Sequence, residues 1–328
     1  MRRGVLLLTV LLLGGGGWWF SQHYQITGLE HIGLRPRAAA QDEPAADAQS
    51  PPAVDHASGT LRIASFNIQV FGAAKLDKPG VMNVLADVVR QFDVVAIQEV
   101  RAKTDDILPR FVDLINSTGR HYDYLIGPRL GRSNSKEQYA FIFDTASIEA
   151  DRSALYTVAD PDDLIHREPL VAWFRVRGPP PDQAFTFTLI DIHTDPDETT
   201  QELDALADAY RVVRDDGRHE DDIILLGDLN VDDAHLGRMG RVPGVAPAIS
   251  GLPTNTRGTK QYDNLLFSKT ATGEYTGRSG VFDLIRQYNL TTDEALQVSD
   301  HMPVWAEFSI YEGGRGGQIA TRPAETAK

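Results

Sequence analysis

The sequence predicts an α/β domain with mixed strand pairing, and three observations predict it. Short runs rich in β-branched and aromatic residues alternate with apolar residues at helical spacing. The later strand-like runs succeed one another without the long helices that a purely parallel, doubly wound sheet requires. Several runs end in a cluster of polar residues, as strands do when their C-terminal ends line a crevice for a ligand.

Taken in order, the first strand is expected over residues 61–68. Val81, Val84, Leu85, Val88 and Val89 then fall three or four apart, the spacing that puts apolar side chains on one face of a helix. A second strand over 94–97 precedes a second helical pattern at Ile107, Phe111, Leu114 and Ile115. Strands over 140–143, 171–177 and 185–192 come next, then a third helix marked by Leu203, Leu206, Ala207 and Tyr210. The runs 223–226, 264–267 and 304–311 complete the set.

The ends of the chain have a different composition. Arg2 and Arg3 precede an apolar run over 5–20, so residues 1–24 read as a signal peptide or a signal-anchor transmembrane segment. The run is short and holds Gly14 to Gly17, which favours a signal peptide. The lack of a small-x-small cleavage site and the aromatic residues Trp18, Trp19 and Tyr24 tip the balance slightly towards an anchor. Either reading exports the rest of the chain, leaving it secreted or membrane-anchored and facing the periplasm or exterior. Residues 25–60, rich in Ala, Pro, Asp and Gln from position 35 onward, are expected to be a flexible linker. The folded domain is expected over 61–311 and a disordered tail over 312–328.

With 328 residues and 42% hydrophobic content, the chain has enough apolar material for one large core, the working expectation, or two small ones. Its net charge of -14 is the opposite of the broad basic footprint of proteins that bind nucleic acid by phosphate neutralisation. Contact with such a polymer must be local, through a few Arg residues and bound cations. The 46 carboxylates against 32 basic side chains suit divalent-metal binding, although acidity more often serves solubility. Cysteine is absent, which excludes disulfides, thiolate zinc sites and a cysteine nucleophile.

The chemistry is carried by five clusters: Ile63-Ala-Ser-Phe-Asn67, Val95-Ala-Ile-Gln98-Glu99, Leu189-Ile-Asp-Ile-His193, Leu225-Leu-Gly-Asp228-Leu-Asn230 and Ser299-Asp300-His301. A lone Asp after a strand is usually a turn or cap residue, and a lone His is usually a satisfied polar residue. Five such clusters at strand ends are a different matter. They offer hard oxygen ligands for Mg²⁺ or Ca²⁺ and two His able to move protons.

Arg62-Ile-Ala-Ser-Phe-Asn-Ile, Ile97-Gln-Glu-Val-Arg101, Gly227-Asp-Leu-Asn230 and Ser299-Asp-His-Met-Pro303 resemble the motif set of the endonuclease/exonuclease/phosphatase superfamily. Pro128-Arg-Leu-Gly-Arg132, Lys136-Glu137, Arg167-Glu-Pro169 and Tyr262-Asp263 resemble, more narrowly, the deoxyribonuclease I branch. The resemblance implies a four-layer αββα sandwich, two packed mixed β-sheets flanked by helices, acting as a monomeric, metal-dependent phosphodiesterase on DNA. It also implies site roles. Asn67, Glu99 and Asp300 hold a cation, Mg²⁺ or Mn²⁺. His193 with Glu137 and His301 with Asp263 form two His-carboxylate pairs about the scissile phosphate. Asp228 binds or orients the nucleophile or the metal, and Asn230 donates to a phosphate oxygen. Arg101, Arg132 and Arg167 match basic positions near the nucleic acid.

The chain departs from the branch in places. Gln69 stands where the family has an Arg, Ser135 stands where it has a Tyr, and the family's disulfides are missing. The first two losses weaken the grip on a duplex and not the cleavage chemistry. The acidic segment 160–163 with Glu168 is a candidate for a structural Ca²⁺. Two other functions fit the same sequence: hydrolysis of a phospholipid, sphingomyelin or other small phosphodiester, and a catalytically silent exported binding module.

Overall fold

The computed structural model describes residues 59–132 and 136–314. The leader, nearly all of the linker, Ser135 and most of the tail fall outside these described residues. Among the described residues no helix is long and apolar enough to cross a membrane.

Among the described residues twelve strands form two six-stranded sheets. The first contains β1 (Thr60–Phe71), β2 (Val94–Val100), β3 (Tyr122–Ile126), β4 (Gln138–Asp144), β11 (Tyr275–Val281) and β12 (Val304–Ser309), in the order β11-β12-β1-β2-β4-β3. The second contains β5 (Ile148–Thr157), β6 (Leu170–Val176), β7 (Thr186–His193), β8 (Ile223–Asp228), β9 (Val245–Pro247) and β10 (Asp263–Ser268), in the order β5-β6-β7-β8-β10-β9. Each sheet is antiparallel except at its centre, where β1 pairs with β2 and β7 with β8 in parallel. A parallel neighbour needs a crossover, and a helix supplies each one. These are α2 (Pro79–Val89), which comes after the single-turn α1 (Ala73–Leu76), and α4 (Thr199–Arg214). Pro79 starts α2 at the first helical turn, where its missing N–H costs nothing.

Three apolar clusters divide the molecule into four layers. The inner faces of the two sheets meet through Phe141, Phe174, Phe185, Phe187, Phe267 and Phe308. Outside the first sheet lie α2, α3 (Ile107–Asn116), α5 (Leu284–Tyr288) and α6 (Thr292–Val298), whose Val84, Phe111, Leu284 and Val298 pack on β1 and β2. Outside the second sheet, α4 buries Leu203, Leu206 and Tyr210. The fold is the sandwich of two mixed sheets and flanking helices that the sequence predicts. At the far end, Glu312 begins a 3₁₀ turn, with its N–H donating to the Gln183 carbonyl at 3.0 Å.

Candidate active site

The two central parallel pairs aim their C-terminal ends at one pole, and that is why residues far apart in sequence meet there. Asn67 ends the regular part of β1, Glu99 lies near the end of β2, His193 ends β7 and Asp228 ends β8. The backbone at this pole takes conformations that L-residues rarely adopt: Gln69 at φ 35, Val70 at φ 51, Glu99 at φ 62 and Asn230 at φ 52. The Gln69-Val70 bulge turns two amides inward. Gln69 N–H donates to Asn67 Oδ1 at 2.9 Å and Val70 N–H to Glu99 Oε2 at 2.7 Å, which fixes both side chains. Gly227 is required by β7: at φ 147, a Cβ would lie 1.8 Å from the Ile192 carbonyl oxygen.

Both His-carboxylate pairs form across the two sheets. His193 on β7 of the second sheet meets Glu137, which enters β4 of the first, with Nδ1 2.8 Å from Oε1. His301, which enters β12 of the first sheet, meets Asp263 on β10 of the second, with Nδ1 2.9 Å from Oδ2. The other ring nitrogens converge: His193 Nε2 and His301 Nε2 each lie 3.5 Å from the same Asp228 oxygen, Oδ2. Asn67 Nδ2 donates to that oxygen at 3.0 Å and to Glu99 Oε1 at 3.4 Å. Asp228 Oδ1 accepts from the Asn230 N–H at 3.0 Å, while the Asn230 amide is fixed by donating to the Thr194 carbonyl. Asp300 is on the rim, with Oδ1 3.9 Å from His301 Nε2.

The charges of the site are mutually adjusted. Burial pushes Asp228 upward, but facing His301 and His193 outweigh it and hold the carboxyl below the usual range. Glu137 behaves the same way: burial raises it, while His193, Arg167 and Arg101 together bring it down. Burial lowers His193, and Glu137 with Asp228 raise it by more. His301 ends well above the ordinary imidazole value, because Asp263, Asp228 and Asp300 overcome the effect of burial. Asp263 is also raised, mainly by burial, so the His301-Asp263 proton belongs to the pair and leaves late.

The three expected Arg contacts have different surroundings. Arg101 bridges the halves, 3.2 Å from Glu99 and 3.4 Å from Glu137. Arg167 is only 3% exposed, and its Nε lies 3.2 Å from both Glu137 Oε1 and the His193 carbonyl. It supports the His193 pair through both contacts. Arg132 is farther out, paired with Asp163 and Glu198. That pairing and the Ile165 N–H on Asp160 Oδ2 engage the acidic loop, and among the described residues its carboxylates do not come together in a group of three.

Several supporting residues have no signal in the sequence. Thr254 Oγ donates to Asp263 Oδ2 at 2.6 Å and accepts from the N–H groups of Tyr262 and Asp263. The Tyr139 hydroxyl accepts from His193 N–H at 2.9 Å. Lys75, nearly buried, caps the Ile68 and Val298 carbonyls at 2.7 Å each; burial pushes it down to about 8 against the pull of Asp300 and Glu99. Gln98, beside Glu99, is interior: it donates to Asp191 Oδ1 at 2.6 Å and ties β2 to β7.

Comparison with known proteins agrees with this geometry. The model of the Endonuclease/Exonuclease/phosphatase family matches residues 64–301. Deoxyribonuclease gamma of Rattus norvegicus is 31% identical over 272 residues, covering 78% of this chain and 86% of that protein. Deoxyribonuclease-1-like 1 of Cricetulus griseus is 33% identical over 268 residues, covering 77% and 86%. Among solved structures, a humanized D. rerio TDP2 shares the fold with a TM-score of 0.55 at 16% identity, covering 76% of this chain and 99% of that one. The chain therefore belongs to the endonuclease/exonuclease/phosphatase family and is a phosphodiesterase of that family.

Proposed function

We propose that this chain is a divalent-metal-dependent endonuclease that hydrolyses DNA phosphodiester bonds without sequence preference. The observation that carries the proposal is the pair of His Nε2 atoms, each 3.5 Å from one Asp228 oxygen and each backed by its own carboxylate. Two proton-handling groups about one anionic point are what in-line displacement at phosphorus needs, one to take a proton from water and one to give a proton to the leaving oxygen. The similarity to proteins named deoxyribonuclease supports DNA as the polymer.

His193 takes the water proton in this reading, since burial and Arg167 work against a positive ring there and leave it raised less far than His301. His301 donates to the leaving oxygen, since three carboxylates favour its protonated form. Glu137 and Asp263 fix the tautomers and orientations of the rings. Asp228 orients the attacking water, and Asn230 is positioned to meet a phosphate oxygen. Asn67, Glu99, Asp300 and Asp228 offer an all-oxygen donor set of the kind that suits Mg²⁺ or Mn²⁺. Such an ion supplies neutralisation of the charge that grows on the phosphate. Arg101, between Glu99 and Glu137, is the first candidate for a backbone phosphate. The N-terminal run supports action outside the cytoplasm, with the domain secreted or anchored.

Plasmid nicking by the full chain with Mg²⁺ plus Ca²⁺, with chelator, and in the His193→Ala variant tests this reading. Metal-dependent nicking that is lost in the variant is the expected result. Absence of nicking together with metal-dependent turnover of bis-(p-nitrophenyl) phosphate overturns DNA as substrate and leaves a lipid or small diester.

A further inference from the structure

The end of the sandwich opposite the active site carries its own concentration of carboxylates. Asp222 immediately precedes β8, Glu274 precedes β11, and Glu312 comes after β12. Oxygens of these three residues all lie within 4.8 Å of one another, as do those of Glu220, Asp221 and Asp222. The six residues of β8 put this cluster roughly 20 Å from Asp228 at about 3.3 Å per residue. Among the described residues none of the five carboxylates takes part in an ion pair.

Negative charge gathered in this way, with two of its members about as buried as core residues, is unstable without a proton or a cation. Asp222 is 1% exposed and Glu274 2%. Asp222 Oδ1 and Glu274 Oε2 are buried without a regular hydrogen bond to the surrounding protein, and it is the Thr272 hydroxyl and the Glu274 carboxyl that face Asp222. Other oxygens of the group accept from protein donors. Gly313 N–H donates to Glu274 Oε1, Thr186 N–H to Glu312 Oε2 at 3.2 Å, and Trp173 Nε1 to Glu220 Oε2 at 2.9 Å. These donors orient Glu274, Glu312 and Glu220, and one oxygen each of Asp222, Glu274 and Glu312 lies within 4.8 Å of the other two.

We propose that this pole binds a hard divalent cation of the Ca²⁺ type through Asp222, Glu274 and Glu312, with the Thr272 hydroxyl beside them and Glu220 and Asp221 in support. The donors are all oxygen and come from three separate segments, which suits the larger and less directional Ca²⁺ better than octahedral Mg²⁺. The ion ties the start of β8 in the second sheet to β11 and β12 in the first. Its effect is on stability, and it does not depend on the catalytic reading.

Trp173, hydrogen-bonded to Glu220, is a built-in sensitiser for Tb³⁺. With the full chain, Tb³⁺ emission excited through tryptophan should saturate, be displaced by Ca²⁺, and be lost in Trp173→Phe and in Glu274→Gln. Saturating Ca²⁺ should raise the Tm of wild type and of Trp173→Phe by about 5 °C, and should fail to do so in Glu274→Gln. Should Glu274→Gln fail to fold, the more exposed Glu312→Gln serves in its place. Emission and Ca²⁺-dependent stabilisation that persist in the carboxylate variants overturn the proposal by putting the ion elsewhere. A Tm indifferent to Ca²⁺, with a Glu274→Gln variant more stable than wild type, overturns it in favour of carboxyls that share a proton.

Discussion

The two His-carboxylate pairs are alike in contact and unlike in setting. The His193-Glu137 pair is held between guanidinium groups, with Arg167 beneath and Arg101 on the far oxygen, and is completed by the Tyr139 hydroxyl. The His301-Asp263 pair has no Arg against it among the described residues; its carboxylate is held by a neutral hydroxyl, Thr254, and its ring also faces Asp228 and Asp300. Positive surroundings keep the first carboxylate ionised and the first ring readier to give up its proton. Negative surroundings make the second ring hold its proton. One geometry built twice can therefore run a base and an acid, because charge beyond the pair separates the two.

The most severe way to break this comparison is to remove the rings. His193→Ala and His301→Ala should each lower the rate of diester cleavage by about 10²- to 10⁴-fold, and the double variant should lose little more than the worse single one, since the rings act in one step. Multiplied losses in the double variant would show two independent functions. The carboxylates come next. Asp263→Asn should reduce kcat and move the limb of the pH–rate profile that reports His301 to lower pH. Glu137→Gln should also lower thermal stability, because Arg167 and Arg101 are left facing a neutral amide.

The protonation difference can be read without turnover, from the ring protons of the two His measured by NMR in metal-free protein. Both rings should titrate above the ordinary imidazole value of 6.5, with His301 the higher. Stabilisation from each pair is then fully present below pH 6.5 and is lost as pH rises through the folded value, later for His301. The reverse order of titration would exchange the two roles. The smallest effect should come from Thr254→Val. It removes a hydroxyl from Asp263 and leaves two amides unpaired, costing about 1–3 kcal/mol in a urea melt while His193 titrates as in wild type.

The parts of the fold visible in the sequence and the parts hidden in it differ in burial. The eight strands predicted from apolar runs are β1, β2, β4, β6, β7, β8, β10 and β12, which are the inner strands of the two sheets. The four without a readable pattern, β3, β5, β9 and β11, are the four edges. An edge strand is half solvated and tolerates charge, as β5 does with Glu149, Asp151 and Arg152, so its periodicity is blurred. The site divides similarly. Asn67, Glu99, His193, Asp228 and His301 are legible because each ends a strand or lies next to one, in a local motif. Thr254, Tyr139 and Lys75 act through contacts made only in the folded chain. The same holds for Asp222, Glu274 and Glu312, which lie in separate segments and share no local pattern.

Because each His and its carboxylate come from opposite sheets, neither sheet contains a working half of the site. The chemistry is a coincidence detector for assembly: it switches on when two layers dock in register and off when one slips, even with every strand still formed. Cleavage activity should therefore disappear earlier in a denaturant titration than the far-ultraviolet signal of the sheets, and two fragments divided between β4 and β5, which part Asn67, Glu99 and Glu137 from both His, should be active only when mixed.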